Sequence, residues 1–167
     1  QRNHPGFVAR VQVGLDMEMG AFTRSIRIGR PIDEVWSVLA DIGSIADWNP
    51  GVIASRTTSG QVEGEGARRF CDLGRRMHLD EVVTEWLPPQ RITFSIVGTN
   101  LPFARADICF TLVEVDDGTE VTVSPDYSLR FGPVGRIMDA VMVGRTYSRG
   151  MEGLLDGLRR HLEETDT

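Results

Sequence analysis

The stretch GPVGRIMDAVMVGRTYSRGMEGLLDGLRRHLEE, residues 132–164, decides how the chain folds. At helical spacing Ile137, Val141, Gly144, Ser148, Met151, Leu155, Leu158 and Leu162 share one face, with Val134 beside them, which predicts a long amphipathic helix packed on a core. It is the strongest helix signal in the sequence. The stripe changes along its length, because three leucines make one end bulky while Gly144 and Ser148 leave a notch in the middle. A glycine inside a helix costs about 1 kcal/mol against alanine, and Gly144, Gly150, Gly153 and Gly157 all lie inside this one. Two readings compensate that cost: close packing or a kink at the glycines, or room for a ligand between the helix and whatever covers it.

Working outward, six strand-like runs precede the helix: Val52–Thr58, Ala67–Leu73, Met77–Trp86, Arg91–Val97, Ala104–Val115 and Thr119–Leu129. Glycine, proline and aspartate clusters separate them, which implies short hairpins and a mostly antiparallel sheet. Before these runs stand one strand, Phe22–Ile28, a short helix introduced by Pro31, and a second helical turn that stops at Asn49-Pro50-Gly51. A single long helix after such a sheet buries its stripe most simply against one face of it. Residues 1–20 read as a separate arm. Phe7, Ala9, Val11, Val13, Leu15, Met17 and Met19 alternate with mostly polar or small residues, the pattern of an added edge strand, with a break or bulge expected near Gly20 and pairing to a second subunit as a homodimer left open. Residues 21–167 then form the one compact domain.

The composition excludes several classes. A net charge of -6 argues against a general nucleic-acid binder, which needs a basic face. All 18 basic residues other than histidine are arginine, so amine-nucleophile chemistry through lysine has no residue to use. Cys71 and Cys109 are too few for a disulfide framework and read as buried small side chains. No apolar run approaches the length of a membrane span, and no basic-then-apolar leader opens the sequence, so a cytoplasmic location is expected.

The chain resembles the START-like superfamily with the helix-grip fold, in particular its bacterial polyketide cyclase/dehydrase and lipid-transport branch. The residues that carry the resemblance are Pro31-Ile32-Asp33-Glu34-Val35-Trp36, Leu39-Ala40-Asp41, Ala46-Asp47-Trp48-Asn49-Pro50-Gly51, Thr84-Glu85-Trp86 with Pro88-Pro89 and Arg91, Asp117-Gly118-Thr119 with Val121, and the terminal helix. The likeness runs from about Phe22 to Glu164 and rests on the order and spacing of motifs that are individually weak. It implies an α+β fold, with a curved antiparallel sheet of about seven strands around the last helix, two short helices after the first core strand, and a cavity for an apolar or aromatic ligand. The arm departs from the family pattern, and so does Pro125, whose missing N–H suggests a bulge. Trp36 and Trp48 are expected to pack the short helices onto the sheet.

Metal and nucleotide signatures are absent, so no metal and no cofactor are expected. Candidates for chemistry must therefore come from inward strand and helix positions. In the run from Met77, the set His78, Asp80, Val82, Thr84 and Trp86 is favoured as inward, because the opposite set brings glutamates into the interior, where unpaired charge is costly. An imidazole near a carboxylate can serve as general acid or base, and a structural pair at the sheet edge is the competing reading. Arg145 and Tyr147 flank the notch as an anion clamp and a hydrogen-bond donor, with surface salt bridging as the alternative for Arg145. Tyr127 is in phase with the inner face of the last strand. The catalytic candidates are His78, Asp80, Tyr127, Arg145 and Tyr147. The expected ligand-lining set is Arg69, Val82, Trp86, Phe94, Ile96, Phe103, Ile108, Phe110, Met138, Val141, Gly144, Arg145 and Ser148, with the loop Gly98–Phe103 as a flap over the mouth. Binding of a small hydrophobic or aromatic molecule is the favoured function. A polyketide cyclase, aromatase or dehydratase is the alternative, and an interaction module with a filled interior is the third.

Overall fold

A computed structural model describes residues 19–130 and 136–164. Of the expected arm, residues 1–20, all but Met19 and Gly20 therefore lie outside the described residues. The elements run β1 (Met19–Ala21), β2 (Arg24–Ile28), α1 (Ile32–Ala40), a 3-10 segment (Ile42–Asp47), β3 (Ala54–Thr57), β4 (Arg68–Gly74), β5 (Met77–Leu87), β6 (Arg91–Thr99), β7 (Phe103–Val115), β8 (Gly118–Leu129) and α2 (Arg136–Glu164). All pairings are antiparallel, in the order β1-β8-β7-β6-β5-β4-β3 with β2 also on β8. Because β1 and β2 share one place beside β8, eight strands fill seven positions.

The break expected near Gly20 falls two residues on, between β1 and β2, and brings no bulge. Met19 pairs with Ser128 and Arg24 with Val123, five residues along one strand matched by five back along the other, so the register is continuous. Pairing lapses only at Phe22 and Thr23, opposite Pro125 and Ser124. A proline has no ladder donor to give. Toward β7 the ladder continues unshifted through Ile108 and Pro125, so the bulge expected at Pro125 is absent; β7 has its irregularity between Phe103 and Arg105 instead.

The inner face of the sheet is apolar where strand alternation places it. Ile92 and Phe94 on β6, Ala106, Ile108, Phe110 and Leu112 on β7, and Val121 and Val123 on β8 are all buried. Helix α2 covers them with Met151, Leu154, Leu155, Leu158 and Leu162, each stabilising the fold by about 1.5–3 kcal/mol through burial. The last turn of α2 is tied down by Arg30, whose Nε donates to the Leu162 carbonyl at 3.0 Å. Two glycines permit contacts that no other residue allows. A Cβ on Gly157 would lie 2.0 Å from the Trp48 carbonyl oxygen, so α2 sits directly on the loop after the 3-10 segment. A Cβ on Gly118 would lie 2.1 Å from the Ile28 carbonyl oxygen, which holds the β7–β8 hairpin against the end of β2.

The predicted stripe of α2 is correct from Met151 onward and departs at Val141. Val141 is 50% exposed, and the inward residue one turn before Met151 is Tyr147. The helix face has rotated relative to the reading from Gly144 and Ser148, because an aromatic side chain takes the place the notch was expected to leave open.

Candidate functional site

The site is built where β4 and β5 meet the middle of the sheet. Arg69 and Glu81 are direct cross-strand partners, are 4% and 2% exposed, and form an ion pair of 2.6 Å from Nε to Oε2. The guanidinium lies 3.9 Å above the Phe94 ring, and its Nη1 donates to the Ile42 carbonyl at 3.4 Å. Cys71, two residues along β4, directs its thiol at the same Glu81 oxygen, 3.5 Å away. Burial pushes the Cys71 thiol up to about 12, with Arg69 pulling the other way.

This arrangement corrects the inward set chosen for β5. Glu81 and Val83 face in, whereas His78, Asp80 and Val82 lie on the outer face. The cost argued against an inward glutamate is met by the arginine opposite it. His78 stacks on Phe70 with ring centroids 5.8 Å apart, its Nε2 lies 4.0 Å from Asp80 Oδ2, and both side chains are more than a third exposed. They are a surface pair and do not join the interior group. A bulge between Val83 and Glu85 then reverses the alternation, so Trp86 comes opposite the buried Ile92 and packs edge-on to Trp36 at 5.2 Å.

Farther up the sheet an aromatic cluster fills the space under α2. Tyr127 and Tyr147 have ring centroids 5.1 Å apart, Phe103 lies 5.7 Å from Tyr127 and 5.3 Å from Tyr147, and Phe22 lies 5.8 Å from Tyr147. Ile96 and Leu101 pack against this cluster. The Tyr147 hydroxyl is buried and has no hydrogen-bond partner among the described residues. Burial raises its pKa, with a further contribution from the Glu81 charge, and burial likewise raises that of Tyr127. Both phenols are therefore neutral at physiological pH, each with an O–H that can be donated.

The remaining predicted positions divide between the interior and the surface. Phe94, Phe110 and Ile108 line the inner face, and Phe94 and Phe110 pack edge to face at 6.3 Å. Val141, Gly144, Arg145 and Ser148 line an open groove of about 550 Å³ between α2 and the edge strand β2, not the interior. Gly144 is the thin point between the two, since a Cβ there would lie 3.2 Å from the Tyr127 hydroxyl. Ser148 Oγ accepts a hydrogen bond from Arg24 Nη2 at 2.6 Å, and Arg24 Nε also pairs with Glu152 at 3.0 Å. Met138 lies on α2 at a position whose side chain is outside the described residues. The expected flap is tied to the β4–β5 hairpin, with Asn100 Oδ1 accepting from the His78 amide at 3.1 Å and Asn100 Nδ2 donating to the Arg76 carbonyl at 2.6 Å. Sequence reading missed Glu81 as a member of the interior, while Cys71 is buried as expected. The signal for Glu81 was its pairing with Arg69, which depends on a register shift in the β4–β5 hairpin.

The sequence pattern of the polyketide cyclase/dehydrase and lipid transport family matches residues 19–163. The chain belongs to this family. Among solved structures, its fold is shared by a Thermus thermophilus protein at 18% identity, with 89% of this chain and 100% of that chain covered and a TM-score of 0.75. It is shared by the Zhui aromatase/cyclase from Streptomyces sp. R1128 at 18% identity, with 88% and 95% covered and a TM-score of 0.73. A START superfamily protein from Mycobacterium smegmatis matches at 15% identity, with 86% and 97% covered and a TM-score of 0.72. At these identities the likeness is one of fold. A search of curated proteins finds no match. As a member of the cyclase/dehydrase and lipid-transport family, the chain has a START-like, helix-grip architecture of the ligand-binding kind. No helix among its described residues is long and apolar enough to cross a membrane.

Proposed function

We propose that this protein binds a small hydrophobic or aromatic molecule between the inner face of the sheet and the N-terminal half of α2. One observation carries the reading: the Tyr147 hydroxyl is buried without a partner inside a cluster of aromatic rings. A buried donor left unsatisfied costs about 1–3 kcal/mol, and a ligand acceptor removes that cost. Grooves lined by described residues, the one at Gly144 among them, are open to solvent, so a ligand gains its space by displacing rings of the cluster. The lower interior stays filled by Phe94 and Phe110, whereas Met142 is 69% exposed.

The cyclase, aromatase or dehydratase reading is second. It is supported by two neutral phenols near a buried Arg69–Glu81 pair, and weakened by the outward position of His78 and Asp80. The Zhui protein is an aromatase/cyclase, and the shared fold extends that activity to this chain only as a proposal. Native mass spectrometry after incubation with a panel of aromatic polyketides and neutral aromatic ketones tests both readings. Carriage predicts a one-to-one complex of unchanged ligand mass, weakened about tenfold by Tyr147→Phe through loss of one hydrogen bond. A complex of lower mass by one water favours turnover. No complex with any member overturns both.

A further inference from the structure

The groove between β2 and α2 has a charge balance that the interior site does not use. Val141, Gly144, Arg145, Ser148, Arg149 and Glu152 recur at the spacing of one helix face and border it, with Phe22 and Arg24 from the sheet edge. Glu152 is neutralised by Arg24. Arg145 and Arg149 are exposed, and neither forms an ion pair among the described residues. Two like charges four residues apart on a helix repel one another, and here no acidic partner among the described residues offsets them, on a protein whose net charge is -6. An arginine pair flanking the Ser148 hydroxyl is suited to a carboxylate or phosphate, whose oxygens accept charge-assisted bonds. Apolar surface continues from the pair along the groove, with Val141 half exposed and the Phe22 ring opposite. The interior offers an anion nothing comparable, since Arg69 is already paired to Glu81.

We propose that this groove is a binding site for an amphiphilic anion, its acidic head between Arg145 and Arg149 and its apolar body along Val141, Gly144 and Phe22. The groove shares the Phe22 ring with the interior cluster, but the proposal stands on its arginine pair and does not rest on the interior reading. Head and tail contribute together, because an exposed arginine contact alone is weak and screened by salt.

Calorimetric titration of the full chain with octanoate, octyl phosphate, 1-octanol, acetate and inorganic phosphate tests the proposal. Octanoate and octyl phosphate are expected to bind about tenfold more tightly than 1-octanol at low ionic strength, and more tightly than acetate or inorganic phosphate. The double variant Arg145→Gln with Arg149→Gln, both side chains exposed, is expected to lose that preference while retaining its binding of 2-acetonaphthone, the neutral probe of the interior. Equal affinity for 1-octanol and octanoate, inorganic phosphate binding as tightly as octyl phosphate, or an unchanged preference in the double variant would each overturn it. Failure of 2-acetonaphthone to bind while the octanoate preference persists would count against the interior reading and leave this one standing.

Discussion

Arg69 and Glu81 each exist in the core only because of the other. Removing one partner strands a charge at a position less than 5% exposed, which costs about 3–5 kcal/mol. Arg69→Ala is therefore expected to lower the urea-unfolding free energy by that amount, while Arg69→Met combined with Glu81→Leu loses much less, because no lone charge remains. Tyr147 behaves in the opposite way. Its hydroxyl makes no hydrogen bond among the described residues, so Tyr147→Phe should raise stability, by up to about 1–3 kcal/mol in the same unfolding experiment, while lowering ligand affinity.

At the level of the element, the glycines of α2 separate into those that packing requires and those it does not. Gly157 abuts the Trp48 carbonyl, so Gly157→Ala must push helix and loop apart and is expected to destabilise by about 1–3 kcal/mol despite alanine's better helix propensity. Gly150 has nothing within 4 Å of its would-be Cβ, and Gly150→Ala is expected to stabilise by up to about 1 kcal/mol. Thermal melts of the two variants read the contrast directly. Strand placement was legible in the sequence because alternation and turn residues are local properties: the observed limits of β3 to β8 depart from the predicted runs by at most two residues. The inward face of β5 was not. Arg75 and Arg76 make a two-residue turn with positive φ values of 52° and 65° and lack an Asn-Gly signature. A register shift between Asp72 and Gly74 then moves Arg69 from opposite Val82 to opposite Glu81. A one-residue slip exchanges the faces of a strand, and nothing in the local pattern announces it. Tyr147 was legible as a neighbour of the notch, but its orientation depended on the phase of a helix whose glycines blur the stripe.

For the molecule as a whole, three acids held neutral by burial set the alkaline limit of stability. Cys71, Tyr127 and Tyr147 all have folded-state pKa values above their ordinary ones, so the folded state binds more protons than the unfolded state at high pH. Their contribution is complete below the ordinary values of 9.0 for the thiol and 10.0 for the phenols, and it declines as pH rises beyond them. Unfolding free energy is thus expected to fall from pH 9 upward, with the cysteine part continuing to about 12. Cys71→Ala should flatten the slope between pH 9 and 10, measured by urea titration at half-unit steps.

The chain contains only two tyrosines, and both belong to the interior cluster. Replacing them biosynthetically with 3-fluorotyrosine gives two fluorine resonances inside the proposed ligand space. Titration with 2-acetonaphthone is predicted to shift both resonances with a common one-to-one saturation curve, and binding that leaves both unmoved would contradict a ligand held between sheet and helix.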